Sequence, residues 1–246
     1  MPLDVVYIVR PGDRNEELRF SLRSLANLPH GDVWMVGHKP DWVRNVRHIS
    51  GNPSLNCKEK NVYSNVLAAC EHDGVPDRFV LFNDDFYVTE PIDEVPATYR
   101  CTLREHCAHR PQATTSWQIS LRRTLAVLEA DGHEDPLSYD LHVPMPVVKD
   151  DMRRTLRKFK HVCPNNPPQW RTLYGVDNNV PAVKWGDPKY LEGEIRKPFH
   201  STTDSTWRKF GLEKLFPDPS PYEGEPCKPV TALSGNVVSR RTAWVA

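Results

Sequence analysis

Through the first hundred residues the hydrophobic positions fall into short runs separated by polar turns. Val5 to Val9 is an unbroken apolar run of the kind a buried strand shows, and Arg10-Pro11-Gly12 turns the chain after it. Asp13, with Glu16 three positions on, has the spacing of a helix cap and capping box. Leu18, Leu22, Leu25 and Leu28 follow at helical spacing and form one apolar face. Val33 to Val36 predicts a second strand and Val46 to Ile49 a third. Lys58 to Cys70 predicts a helix with Val62, Val66 and Ala69 on one face, and Phe79 to Phe82 the next strand. This alternation specifies an α/β fold: a parallel or mixed sheet with helices packed on it.

Beyond residue 100 the pattern loosens. Leu121 to Ala130 and Val147 to Lys160 are expected to be helices. Many of the 23 prolines lie after residue 140, in HVPMP, CPNNPP and FPDPSPYEGEP, and proline fixes φ and removes a donor, so these stretches read as loops. Such a half has little capacity for a core of its own. The chain therefore reads as one domain over 1–246, with a ligand-binding half at 1–100 and a loop-rich half at 101–246 that packs against it.

Charge is balanced, 32 basic against 32 acidic side chains, so no global field draws the protein to nucleic acid or membrane. No apolar run approaches the roughly 18 residues of a transmembrane helix. The opening MPLDVVYIVRPGD lacks the basic start and small-residue cleavage site of a signal peptide, and a cytoplasmic location is expected. None of the six cysteines forms a C-x-x-C pair. Cys101, His106, Cys107 and His109 cluster, but their spacing fits no standard zinc module, and surface or half-buried residues are expected.

The densest chemistry is Asn83-Asp84-Asp85 at the end of the Phe79–Phe82 run. Adjacent carboxylates ending a buried strand are costly unless a cation sits beside them. Ligands of open α/β sheets bind just beyond the strands' carboxyl ends, where a hard divalent cation can be shared between carboxylates and substrate phosphates. A solvated Asn-Asp-Asp turn explains the same residues.

Several segments resemble the Stealth proteins, a family of sugar-phosphate transferases. NEELRFSLRSL at 15–25 is similar to the helix of the family's second region, and Lys39-Pro40-Asp41-Trp42 to its P-x-W element. FVLFNDDF at 79–86 resembles F-x-x-F-N-D-D-x-F. DVVYIV resembles the first region and Leu141-His142-Val143-Pro144 the H-x-P of the third. The resemblance runs in order over about residues 4 to 150. It departs at Arg10, where the family has an aspartate, and no fourth region matches. The compact layout is closer to short, phage-like glycosyltransferases of the glycosyltransferase-A fold, which transfer the sugar itself.

The resemblance implies a glycosyltransferase-A-like, Rossmann-like mixed sheet flanked by helices, with a loop-rich acceptor half. It implies a nucleotide-diphosphate sugar as donor substrate, with Mn2+ or Mg2+ and basic side chains compensating the diphosphate. Asp84 and Asp85 are the candidate metal ligands, and His200 could complete the shell. Arg10, Arg14, Lys60, Asn61, Asn83 and Asp84 are candidates for donor binding. His142, Asp177 and Asp204 are candidate catalytic groups, the aspartates as bases for the acceptor hydroxyl. Arg153, Arg154, Arg157, Lys158 and Lys160 form a basic helix, with Trp170, Trp185 and Trp207 nearby in sequence. These suit DNA with hydroxymethylated bases, a polysaccharide or a protein glycan as acceptor. Sugar transfer, hexose-1-phosphate transfer and non-catalytic binding of carbohydrate or nucleic acid all remain open at this point.

Overall fold

The computed structural model describes residues 1–12, 14–51, 57–109, 112, 114–189, 194–203 and 206–224. Its centre is a five-stranded sheet built from β1 (Asp4–Val9), β2 (Val33–Gly37), β3 (Arg47–Ser50), β4 (Arg78–Asn83) and β7 (Met145–Val148). The spatial order is β3-β2-β1-β4-β7. The first four strands pair in parallel, and β7 runs antiparallel to β4, with Leu81 opposite Met145.

The side-chain alternation of each strand divides the core in two. Val6 and Ile8 of β1, Trp34 and Val36 of β2, and Phe79 and Leu81 of β4 face one side. There they meet α2 (Lys58–Glu71), α5 (Lys149–Phe159) and α6 (Trp170–Asp177) through Val66, Leu156 and Leu173. Val5, Tyr7, Met35, Val80 and Phe82 face the other side, against Leu18, Leu22 and Leu25 of α1 (Glu16–Ser24) and its 3-10 extension.

The expected strands and helices of the first hundred residues are present, with one change at a helix start. Helix α1 begins at Glu16 with Asn15 in the left-handed region, φ 42°, and the Asn15 side chain makes no capping hydrogen bond; Asp13 lies outside the described residues. In the second half, Val147 and Val148 belong to edge strand β7 rather than to the helix expected over Val147–Lys160, which starts at Lys149. Pro146 is tolerated there because an edge strand need donate no hydrogen bond on its open side. The helix expected at Leu121 begins instead at Ser116: α4 (Ser116–Ala130) carries a Thr115–Gln118 capping box. Helix α3 (Leu103–Ala108), with its own Thr102–Glu105 box, precedes it. Asp177, a candidate base in the half expected to be loop-rich, is the last residue of α6. Gly175 belongs there because a Cβ would lie 2.4 Å from the Tyr139 ring.

After β4 the chain turns at Asp84 and Asp85 and re-enters as β5 (Phe86–Val88), which pairs antiparallel with β9 (Phe199–Ser201). Helix α1 pins this return. Ser21 Oγ donates to the Phe86 carbonyl, and the Val88 N–H donates to Ser24 Oγ at 3.1 Å. Two short strands, β6 (Thr98–Tyr99) at the end of the first half and β8 (Val183–Lys184) in the second, pair in parallel. The second half therefore shares the core of the first: β7 extends the central sheet, and β9 closes on β5.

The end of the described chain is clamped to α1. Glu223 accepts from Arg19 at 2.7 Å and from Arg23 at 2.8 and 2.9 Å. Burial disfavours its charge, but the Arg23, Ser220 and Arg19 donors outweigh that and hold the carboxyl at about 2, below its usual 4.5. Glu223→Gln should therefore cost about 2 kcal/mol at neutral pH, allowing for solvent screening. A depressed carboxyl stabilises above its unfolded pKa, so the difference from wild type should shrink as pH falls from 4.5 towards 2. Urea melts at pH 7 and pH 3 check this. An equal loss at both would assign the effect to packing.

Candidate active site

The carboxyl ends of β1, β2 and β4 open onto one cavity of about 690 Å³. Its first wall comes from these strand ends, with Arg10, Gly37, His38 and Asn83 to Asp85. Gly37 has φ +102°, and a Cβ there would lie 2.5 Å from the Val9 carbonyl, so only glycine lets the backbone pass this close. Helix α2 adds Lys58, Asn61 and Asn65 at its first turns. The second half supplies the opposite wall, with Asp140, His142, Gln169, Arg171 and Lys189.

The two carboxylates of the turn are compensated separately. Asp84 Oδ2 lies 3.4 Å from Arg10 Nε, and Arg10 also reaches Glu17 of α1 at 3.5 Å. Asp85 Oδ2 accepts from Lys189 Nζ at 2.8 Å and from Ser201 Oγ at 3.3 Å. Both side chains are largely buried, 13 and 15 % exposed, which is why each needs a cation. Asn83 Oδ1 is buried with no hydrogen-bond partner among the described residues. Two carboxylates and an unfilled amide oxygen make a hard, all-oxygen donor set that fits Mg2+ or Mn2+.

His142 stands on the opposite wall, its Nδ1 3.0 and 3.1 Å from the Asp187 carboxylate and its ring edge-on to Phe86. Burial works against charge on Asp187. The His142 hydrogen bond, the Lys189 N–H and the Arg100 guanidinium overcome it and hold the carboxyl below its usual range. Lys189 N–H donates to Asp187 Oδ1 at 3.1 Å, so one short segment serves both His142 and Asp85. Arg171, in the first turn of α6, is 4 % exposed and lies between the Phe86 and Trp170 rings. Burial pushes its guanidinium down to about 10, so it stays charged at neutral pH.

Of the residues singled out from the sequence, Arg10, Asn61, Asn83, Asp84, Asp85 and His142 line this cavity. Arg14, Lys60, Asp177 and His200 do not. Lys58 rather than Lys60 faces the cavity from α2. Asp177 accepts from Thr155 and Lys158 at 2.6 Å on the outer side of α5 and α6. Together with Asp131 and His133 it offers ligand atoms within 4.8 Å of one another, but the Lys158 ammonium already lies 2.6 Å from both carboxylates. His200 is buried between Tyr87 and Phe210 on β9, away from the two aspartates' open side. Asp204 lies outside the described residues. His106 of the cysteine–histidine cluster bonds Ser138 at 2.7 Å and faces the Arg100 guanidinium. On the basic helix, Arg153, Arg154, Arg157 and Lys158 each pair with a carboxylate, which offsets their field.

Sequence reasoning missed Asp187, Lys189, Arg171 and Asp140. The Gly186-Asp187-Pro188-Lys189 stretch reads as a turn, and only its contact with the N-D-D segment gives it a role.

No protein-family model matches the chain, and no curated protein matches it by sequence. Among solved structures, it is similar to the galactosyltransferase LgtC in complex with donor and acceptor sugar analogues. The TM-score is 0.50 at 12 % identity, covering 87 % of this chain and 94 % of that one. An active-site mutant of LgtC gives the same TM-score and coverage at 11 % identity. The fold is thus glycosyltransferase-A: a mixed sheet, mostly parallel, flanked by helices. No described helix is long and apolar enough to cross a membrane.

His200 gives a test of its buried setting. Burial, and then the nearby Arg196 charge, push its ring down to about 4 from 6.5. Between those values the unfolded chain binds a proton that the folded chain refuses, so acidification destabilises the fold. His200→Asn keeps an acceptor for the Arg196 N–H and removes the titration. Between pH 7 and pH 5 wild type should lose on the order of 1 kcal/mol more than this variant, by urea unfolding. Equal losses would mean that His200 is solvated.

Proposed function

We propose that this chain transfers a sugar from a nucleotide-diphosphate sugar to an acceptor hydroxyl. The observation that carries the reading is the convergence of Asp84, Asp85, Arg10, Lys189 and His142 on one cavity at the carboxyl ends of parallel strands. The cavity's volume suits a ligand of this size. The likeness to LgtC supports it as analogy of fold.

Asp84, Asp85 and Asn83 would hold Mg2+ or Mn2+, which supplies charge to the departing diphosphate. Arg10 and Lys189 supply the rest, Lys189 by exchanging Asp85 for a phosphate oxygen. Lys58 and Asn61 add a donor-side edge at the start of α2. On the other wall, Asp187 holds the Nδ1–H of His142, which leaves Nε2 to accept a proton. In the reaction the acceptor oxygen bonds to the anomeric carbon as the bond from that carbon to the diphosphate oxygen breaks. The acceptor's proton goes to His142 Nε2. In this assignment His142 takes over the base role that Asp177 and Asp204 held as candidates from the sequence.

The resemblance to Stealth proteins supports a second reading on the same residues, in which the acceptor oxygen bonds to the sugar-bearing phosphorus, the bond from that phosphorus to the bridging oxygen breaks, and hexose-1-phosphate is transferred as the nucleoside monophosphate leaves. It is favoured by His142 of the H-x-P segment facing the same cavity as the N-D-D segment. Mass spectrometry of the product separates the two, since only the second adds a phosphate. DNA with hydroxymethylated bases is the less favoured acceptor, because four of the five cations that suggested it are paired with carboxylates.

Asp85→Asn should abolish turnover and cut the Mn2+-dependent part of UDP affinity, measured by calorimetry with and without chelator below the variant's melting temperature, which should fall because Lys189 loses its buried partner. Unchanged UDP affinity in the presence of Mn2+ would remove the metal from the reading. Asp187→Asn should lower kcat by about 10- to 100-fold with donor KM unchanged, and shift the acid limb of the pH–rate profile. An unaltered profile would leave His142 without a role as base.

A further inference from the structure

We propose that Arg171 and the first turn of α6 form an anion subsite on the second wall of the cavity, which takes one carboxylate or phosphate group carried by the acceptor. The word acceptor rests on the sugar-transfer reading; the anion site itself does not. Arg171 Nη1 donates to the Val143 carbonyl at 2.8 Å. Nη2 is buried and has no hydrogen-bond partner among the described residues. No carboxylate there comes within ion-pair distance of the guanidinium; Asp140, Asp187 and Asp85 act on it only from farther away. A buried guanidinium with an unfilled nitrogen is costly, and a ligand anion removes the cost. The ring faces of Phe86 and Trp170, 5.3 and 4.8 Å from its carbon, hold its plane in advance.

The helix start is a second, independent donor. Pro168, Gln169, Trp170 and Arg171 all line the cavity, and α6 runs eight residues from Trp170. Leu173 is the first N–H to bond back, to the Gln169 carbonyl at 3.0 Å, so the Trp170, Arg171 and Thr172 N–H groups have no intrahelical acceptor, while the Gln169 N–H is taken by Thr124 Oγ1 at 2.8 Å. Arg171 and His142 flank the same Phe86 ring, so an anion held here sits beside the proton acceptor rather than at the strand ends. Arg10 and Lys189 already serve that end. The subsite therefore selects acidic acceptors: a sugar with a carboxylate, or a phosphorylated glycan or nucleotide.

The test is calorimetric titration of the full chain with inorganic phosphate and with acetate, each with and without saturating UDP and Mg2+. Saturable binding that persists beside UDP, and that falls at least about tenfold in Arg171→Met but less in Arg171→Lys, is expected. Tighter phosphate points to a phosphorylated acceptor and tighter acetate to a carboxylated one. Full displacement by UDP would assign the anion to the donor diphosphate and overturn the proposal. So would unchanged affinity in Arg171→Met, or no saturable binding of either anion below about 10 mM. The competition in wild type decides the matter even if the Met variant fails to fold. Failure of UDP to bind while phosphate binds would count against the donor reading alone.

Discussion

Two carboxylates that cannot be solvated fully and cannot be left alone organise this molecule. Asp84 and Asp85 sit where β4 leaves the sheet, and each needs a positive neighbour that the strand itself cannot supply. Arg10 comes from the adjacent strand end and is steadied by Glu17 of α1. Lys189 comes from a hundred residues away and ties the second half to the first. The serines of α1 fix the backbone immediately after the turn, so the carboxylates point into the cavity rather than along the sheet.

The cationic groups of the second half divide into two kinds. Arg153, Arg154 and Arg157 of α5 are half-exposed and meet carboxylates across the surface, where such pairs contribute little to stability. Arg171 is interior, pinned by rings and by one carbonyl, with its remaining nitrogen unfilled. Counting basic residues along the sequence gives the first kind its prominence. Burial gives the second its chemistry.

The first hundred residues are legible because their strands are fully buried and their helices one-sided, so period and apolarity coincide. The N-D-D segment was legible for the same reason: it interrupts such a run. Edge strand β7 was not, since Val147 and Val148 sit directly before a helix and share its apolar character. Helix α6 hid behind a proline-rich approach and a glycine that only the Tyr139 contact explains. Site residues in the second half depend on which wall a loop presents. Asp177 and His200 have the right chemistry but face α5 and an aromatic cluster, whereas Asp187 and Lys189 look like a turn yet hold His142 and Asp85 of the cavity walls.

Asp187 and Lys189 are two residues apart, joined by a hydrogen bond from the Lys189 N–H to the Asp187 carboxylate, and hold His142 and Asp85 on opposite walls of the cavity. Substitutions near His142 and substitutions near Asp85 therefore act on one shared support and will not combine additively. A change that retunes one wall of the cavity therefore alters the background against which a change in the other wall is selected.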